Sequence, residues 1–324
     1  MESSYALVAD EFSAVNQLIT QQLVSDVGLV EDISQYLVAR GGKRIRPLIS
    51  LLSAGALGDN NSQKQIQLAT AVEFLHTATL LHDDVVDMST LRRGQPTANA
   101  NWGNASSVLV GDFVYSKAFQ LMVGIGDMRV MQILSDTTTK IAEGEVKQLM
   151  AIGDLTLNES DYFEVIRNKT AQLFEGACQS AAVIASASDA HIQKLGEYGN
   201  YLGLAFQLVD DYLDYTGNSE ELGKNVGDDL AEGKLTWPLI EALSLTKLND
   251  KSQNTLLSKA IKDKDLSKID QIVEITQQCG ALDITLSKAK QQTEQAKAAL
   301  ASLADSEYKQ QLINITDFVI SRTV

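Results

Sequence analysis

Only three prolines occur in 324 residues, and each falls in a distinctive short segment: Pro47 in GGKRIRP, Pro96 in RRGQPT and Pro238 in GKLTWP. Proline removes an amide donor and clashes with the preceding turn, so the long stretches between these segments are free to run as unbroken helix. Apolar side chains recur there at helical spacing: Val15, Leu18, Ile19 and Leu23; Leu68, Ala71, Val72 and Leu75; Tyr198, Leu202, Ala205, Phe206 and Val209. No comparable stretch alternates with a strand's period of two. The expectation is an all-α chain. Residues 55–66 and 244–254 read as helix-joining loops, and neither is long enough for a domain linker, so residues 1–324 are read as a single domain. The Ala-, Gln- and Lys-rich stretch near the C-terminus reads as helix with a solvated face.

Charge narrows the function. With 27 basic against 42 acidic residues the net charge is −15 and the pI about 4.6, which repels nucleic acid and anionic membrane from the average surface. An anionic substrate therefore needs a local cationic site. Cys178 and Cys279 lack metal-ligand spacing and read as reduced thiols of a cytoplasmic protein. The segment MESSYALVADEF lacks the basic and apolar regions of a secretion signal. No run of about 18 apolar residues suggests a transmembrane segment.

In LLHDDVVDM, Asp83 and Asp87 lie four apart on one helix face, with Asp84 beside them. Like charges at that spacing destabilise a helix, and a bound divalent cation removes the penalty. A solvated acidic patch is the ordinary alternative for one such motif. FQLVDDYLDY repeats the arrangement with Asp210, Asp211 and Asp214 inside another apolar helical stretch. Two carboxylate clusters next to apolar faces call for paired positive charge. The apolar residues between the acids and the missing central glycine exclude an EF-hand loop.

In this acidic chain the basic residues gather near the prolines and glycines: Lys43, Arg44 and Arg46, then Arg92 and Arg93, then Lys224 and Lys234. Arginine offers a planar fork to phosphate oxygens and lysine a compact charge, so these groups suit diphosphate binding. Any one of them taken singly reads as ordinary surface charge. His76 lies two helical turns before Asp83 on nearly the same face, placed either to donate to a diphosphate or to fill the core. His82 reads as structural.

Taken together, GGKRIRP, LLHDDVVDMSTLRRGQPT, NKTAQLF, FQLVDDYLDY, GKNVGDDLAEGK and LTWP occur in the order found in trans-isoprenyl diphosphate synthases, and the chain resembles that family from about residue 20 to about 245. The likeness is greatest to its long-chain bacterial members. The resemblance implies a single large bundle of long antiparallel helices around a central cavity, a homodimer, and acids facing each other across the cavity mouth. It implies Mg²⁺ ligands at Asp83, Asp87 and Asp210, with Asp84, Asp211 and Asp214 in support. Isopentenyl diphosphate would be held by Lys43, Arg46, His76 and Arg93, and an allylic diphosphate such as farnesyl diphosphate by Arg92, Lys169, Thr170, Gln207, Lys224 and Lys234. The block GKLTWP departs from the commoner GKPTLP at Leu235 and Trp237, which puts the local geometry of Lys234 in question.

The chemistry agrees with that assignment. Breaking the allylic C–O bond leaves negative charge on diphosphate, which metals and basic side chains stabilise. The double bond of isopentenyl diphosphate then attacks the allylic cation, and a proton must leave the new bond; the resemblance implies that the departed diphosphate accepts it. No Ser, Cys or His nucleophile is needed. Water would capture the cation, so the pocket must be apolar. Ala78 and Thr79 are small where shorter-chain relatives commonly carry an aromatic blocker, which implies a deep tunnel and a long product, with Met122 a candidate floor residue. An octaprenyl product serving quinone side chains is the expectation. A terpene cyclase would mix Asn, Ser or Thr with Glu in its second metal motif and has no use for a second diphosphate site. A non-catalytic partner subunit would have lost acids or basic anchors that this chain keeps.

Overall fold

The computed structural model describes residues 1–59, 62–92, 94–216 and 226–323. It is all-α: helices, long and short, account for nearly every described element, and the strands found among the described residues are two-residue pairs, Leu91–Arg92 and Gln95–Pro96, joined antiparallel. The chain resolves into two compact units. One comprises Met1–Thr139, Leu173–Gly199 and Lys297–Thr316, the other Lys140–Gln172, Asn200–Ala296 and Asp317–Val324.

In the first unit the helix Gln63–Val86 packs against Ala9–Gln22, Ile45–Ala56 and Asn104–Ile125. Surrounded in this way, it buries side chains around its circumference, including Leu68, Ala71, Val72, Phe74, Leu75 and Ala78, rather than along one stripe. Ser62 caps its start by accepting from the amide of Gln65. Asn104–Ile125 is long and apolar enough by composition to cross a membrane. In the fold it instead lies against Gln63–Val86, with the Ser107 hydroxyl donating to the Leu81 carbonyl at 3.0 Å. One face, with Val110, Val114, Ala118, Leu121, Met122 and Ile125, is buried, whereas Leu109 and Val123 are exposed, and Asp112 and Lys117 interrupt the apolar run.

The second unit has its own apolar cluster, in which Leu230, Leu235, Leu239, Leu257, Ile261 and Ile272 are buried together. The loop expected at 244–254 shrinks to a single residue, because Asp250 ends the helix Trp237–Asn249 and caps Lys251–Asp263 by accepting from the amides of Ser252 and Gln253. The sequence signal there was a cap and not a loop. The stretch expected at 55–66 likewise narrows to the gap between Ala56 and Gln63. Near the C-terminus, helices Ala281–Ala299 and Glu307–Ser321 form as expected with a short break between them.

Both cysteines are free thiols. Cys178 is fully buried, and loss of solvation pushes its thiol up to about 12.

One helix contact is especially tight. Gly199, in the helix Asp189–Thr216, lies against the backbone of Phe174, and a Cβ there would meet the Phe174 carbonyl oxygen at 2.4 Å. Backbone cannot yield as a flexible side chain can. Gly199→Ala is expected to destabilise the protein by about 1–3 kcal/mol, the usual range for overpacking, read as a lowered midpoint in urea unfolding followed by circular dichroism.

Candidate active site

The first acidic motif ends the helix Gln63–Val86. Asp83 lies in its last turn and Asp87 at its C-cap, with the Asp87 amide bonded to the Asp83 carbonyl at 2.8 Å. This is the negative pole of the helix dipole, the least favourable place on a helix for carboxylates. Asp83 and Asp87 are partly exposed, whereas Asp84 is buried. Arg92 explains the difference: its Nε and Nη2 donate to Asp84 Oδ1 at 2.9 and 2.7 Å. The small hairpin holds Arg92 there. Asn99 and Thr97 tie the same turn, donating to the Ser89 carbonyl at 3.0 and 2.8 Å, and Asn99 also reaches the Asp84 carbonyl.

The helix stops in a Schellman turn, in which the Ser89 amide donates to the Asp84 carbonyl and the Met88 amide to the Val85 carbonyl. Met88 occupies the left-handed position with φ 54°, where glycine is the usual residue, and it is 80% exposed. Because nothing packs on it, Met88→Gly is expected to leave the turn intact and raise stability by up to about 1 kcal/mol. A rise of a few degrees in melting temperature in metal-free buffer is the readout.

The segment GGKRIRP leads into the helix Ile45–Ala56 with Pro47 in the first turn, where its missing amide costs nothing. Arg46 and His76 meet: Arg46 Nη1 lies 3.1 Å from His76 Nε2, and its guanidinium sits 4.4 Å over the Phe174 ring. Arginine has only donors, so His76 Nε2 accepts. Lys43 stands just before Arg44 and the helix start. Arg44 bonds Asn16 instead. Ala78 is fully buried, Thr79 donates to the His76 carbonyl, and Met122 is buried in Asn104–Ile125. His82 packs against Gly111 and lies 3.3 Å from Asp112, which is a structural place.

In the second unit, a five-residue π-helical turn, Arg167–Ala171, carries Lys169 and Thr170. Such turns widen a helix locally and are frequent at functional sites. Lys169 Nζ donates to Glu145 Oε2 at 2.7 Å and Gln148 Oε1 at 2.8 Å. Gly144 makes the close approach possible, since a Cβ there would meet the Lys169 amide nitrogen at 2.8 Å. Thr170 donates to Gln207 Oε1 at 2.8 Å, and Gln207 Nε2 donates onward to Asp211 Oδ1 at 2.8 Å. Tyr162 donates to the other oxygen of Asp211 at 2.5 Å. Burial, then the neighbouring Asp229, push the Asp211 carboxyl up to about 7, and the same burial raises the Tyr162 phenol well above its ordinary value.

Asp210 is partly exposed and bonds Arg322 Nη2 at 2.7 Å, while the Arg322 guanidinium lies 4.6 Å over the Phe206 ring. Asp214 is nearly buried and accepts from the backbone at Gly227 and Asp229. Lys234 Nζ lies 2.5 Å from Glu232. The departures at Leu235 and Trp237 are taken up by the core: both are buried, and Trp237 packs 5.3 Å from Tyr162 and 5.4 Å from Phe163. Arg93 and Lys224 lie outside the described residues.

Tyr162, Glu145, Gln148 and Arg322 were not anticipated from sequence. Arg322 had a signal, being the sole arginine after Arg167. The other three had none. Among the described residues no three His, Cys, Asp or Glu side chains come together as a closed metal cage. Paired carboxylates at helix ends, with no soft ligand beside them, fit instead a hard cation that completes its shell with water and phosphate oxygens.

An all-α fold carrying two aspartate-rich helices and a cationic Arg46–His76 pair defines a prenyltransferase of the isoprenoid synthase type. The chain matches the polyprenyl synthetase family over residues 27–279 and belongs to it. It is 48% identical to the octaprenyl diphosphate synthase of Haemophilus influenzae, covering 98% of this chain and 95% of that one. It is 44% identical to the geranyl-diphosphate-specific all-trans-nonaprenyl-diphosphate synthase of Rhodobacter capsulatus, over 98% and 96%. The polyprenyl synthase of Caulobacter crescentus, solved with calcium and isoprenyl diphosphate, superposes with a TM-score of 0.95 at 43% identity, covering 100% of this chain and 98% of that one.

Proposed function

We propose that the chain is a long-chain trans-polyprenyl diphosphate synthase that extends an allylic diphosphate, such as farnesyl diphosphate, with successive isopentenyl diphosphates to an octaprenyl product for quinone side chains. The observation that carries this reading is the placing of Asp83 and Asp87 at the negative pole of a helix, an arrangement that a divalent cation relieves. We take the metal to be Mg²⁺, with Asp83 and Asp87 as ligands from the first motif and Asp210 as the main ligand from the second; it would neutralise the allylic diphosphate and favour its departure.

The chain's own groups supply the rest. Lys43, Arg46 and His76, with Arg93, would hold isopentenyl diphosphate. Arg92, Lys169, Thr170, Gln207, Lys224 and Lys234 would serve the allylic diphosphate. Lys169 now engages Glu145 and Gln148, so it would exchange carboxylate for phosphate oxygens. Asp84, Asp211 and Asp214 would act by holding the helix ends in shape, since each is buried or nearly so. Apolar walls from the helix Gln63–Val86 would exclude water from the allylic cation. Action of residues 1–324 as one domain is supported by the interleaving of the two units, each drawn from three separated stretches. A cytoplasmic homodimer is the assembly we expect. The long product is supported by the small buried Ala78 and by the 48% and 44% identity to an octaprenyl and a nonaprenyl diphosphate synthase.

The test is incubation of the purified protein with Mg²⁺, farnesyl diphosphate and labelled isopentenyl diphosphate, followed by chromatographic sizing of the dephosphorylated products. A ladder ending at the eight-unit alcohol is expected. Ala78→Tyr is expected to shift the ladder to short products, and an unchanged ladder would remove Ala78 from the tunnel wall. No incorporation by the wild type would refute the synthase reading.

A further inference from the structure

The diphosphate loop GGKRIRP contains a residue under backbone strain. Arg44 stands in the left-handed region at φ 43°, ψ 47°, as the N-cap residue of Ile45–Ala56, and its side chain makes no capping bond. A residue with a Cβ occupies that region at a cost of about 1–2 kcal/mol and persists there only when its surroundings over-determine it. The surroundings are visible. Arg44 Nη1 donates to Asn16 Oδ1, and its Nε lies 3.8 Å from Glu73 Oε1, with both charged side chains 14% exposed. One residue earlier, the Lys43 carbonyl accepts from the Tyr5 hydroxyl. Tyr5 is itself held edge-on to Phe12 at 5.0 Å. Burial and the charge of Glu73 raise the Tyr5 phenol, which keeps it a donor.

These contacts bracket the two cations assigned to isopentenyl diphosphate. Tyr5 fixes the carbonyl of Lys43, Asn16 and Glu73 fix Arg44, and Arg46 follows two residues on, against His76, which lies one turn after Glu73 on the same helix. Without such contacts the segment starting at Gly41 and Gly42 would sample many conformers, and a diphosphate would have to order it on binding.

We propose that Tyr5 and Asn16, on the N-terminal helices, are positioning residues for the reaction: by clamping Lys43 and Arg44 they pre-set Lys43 and Arg46 for the diphosphate of isopentenyl diphosphate. The proposal rests on the synthase reading and on the assignment of Lys43 and Arg46 to that substrate.

Steady-state kinetics of the full-length protein with Mg²⁺ test it, each substrate being varied at saturating levels of the other. Wild type is measured first, since an absence of turnover there removes the synthase reading and is distinct from the results that follow. With an active wild type, Asn16→Ala and Tyr5→Phe are each expected to raise KM for isopentenyl diphosphate by about 5- to 20-fold, leaving kcat and KM for farnesyl diphosphate within about twofold, in line with roughly tenfold per 1.4 kcal/mol of lost preorganisation. Asn16→Asp keeps an oxygen acceptor for Arg44 and is expected to return KM to within about threefold of wild type. An unchanged KM for isopentenyl diphosphate in both variants overturns the proposal, as does an equal rise for both substrates. If Asn16→Ala does not fold, Tyr5→Phe, which removes one oxygen atom, decides alone.

Discussion

Carboxylates crowded onto helices that are otherwise packed in apolar surroundings set the terms for the rest of this structure. Each acidic motif places adjacent aspartates in different environments, and the buried one is compensated from within. Asp84 receives the fork of Arg92, and Asp211 receives Tyr162 and Gln207, one on each oxygen. Buried carboxylates left without such partners would cost several kcal/mol. The hairpin, the Schellman turn and the π-helical turn are best understood as the local devices that bring those partners into place.

The partly exposed aspartates face a different balance. Asp83 and Asp87 add negative charge to the negative pole of a helix, and Asp210 bonds Arg322 from the far end of the chain. Stability alone would not select such placement, since acids belong at helix N-termini. Sites that violate local preference are where function is to be sought. The same reasoning applies to Arg44, whose left-handed backbone is held by partners on other helices.

Much of the fold was legible. The scarcity of proline and the apolar spacing gave helices in the right places, and Val15, Leu68, Leu75, Leu202 and Val209 are indeed buried. The loop read at 244–254 was a misreading of a cap, because Asp, Asn and Ser favour turns and helix starts alike and only the accepting bonds of Asp250 distinguish them. The apolar run of Asn104–Ile125 was legible only as composition. Its place against Gln63–Val86 required the fold.

The sequence by itself determined that the chain is helical, that it belongs with prenyl-transferring synthases, and which residue types gather for diphosphate and metal, because periodicity and motif order are local properties. Tertiary structure alone decided which aspartate of each adjacent pair turns inward. Neighbouring residues on a helix point about 100° apart, and the direction of the core is set by the helices packed around it. It likewise decided that Arg44 serves the loop while Arg46 meets His76, and it brought Arg322 to Asp210 across more than a hundred residues of chain. Such pairings depend on where distant helices come to lie, and no spacing in the sequence encodes that.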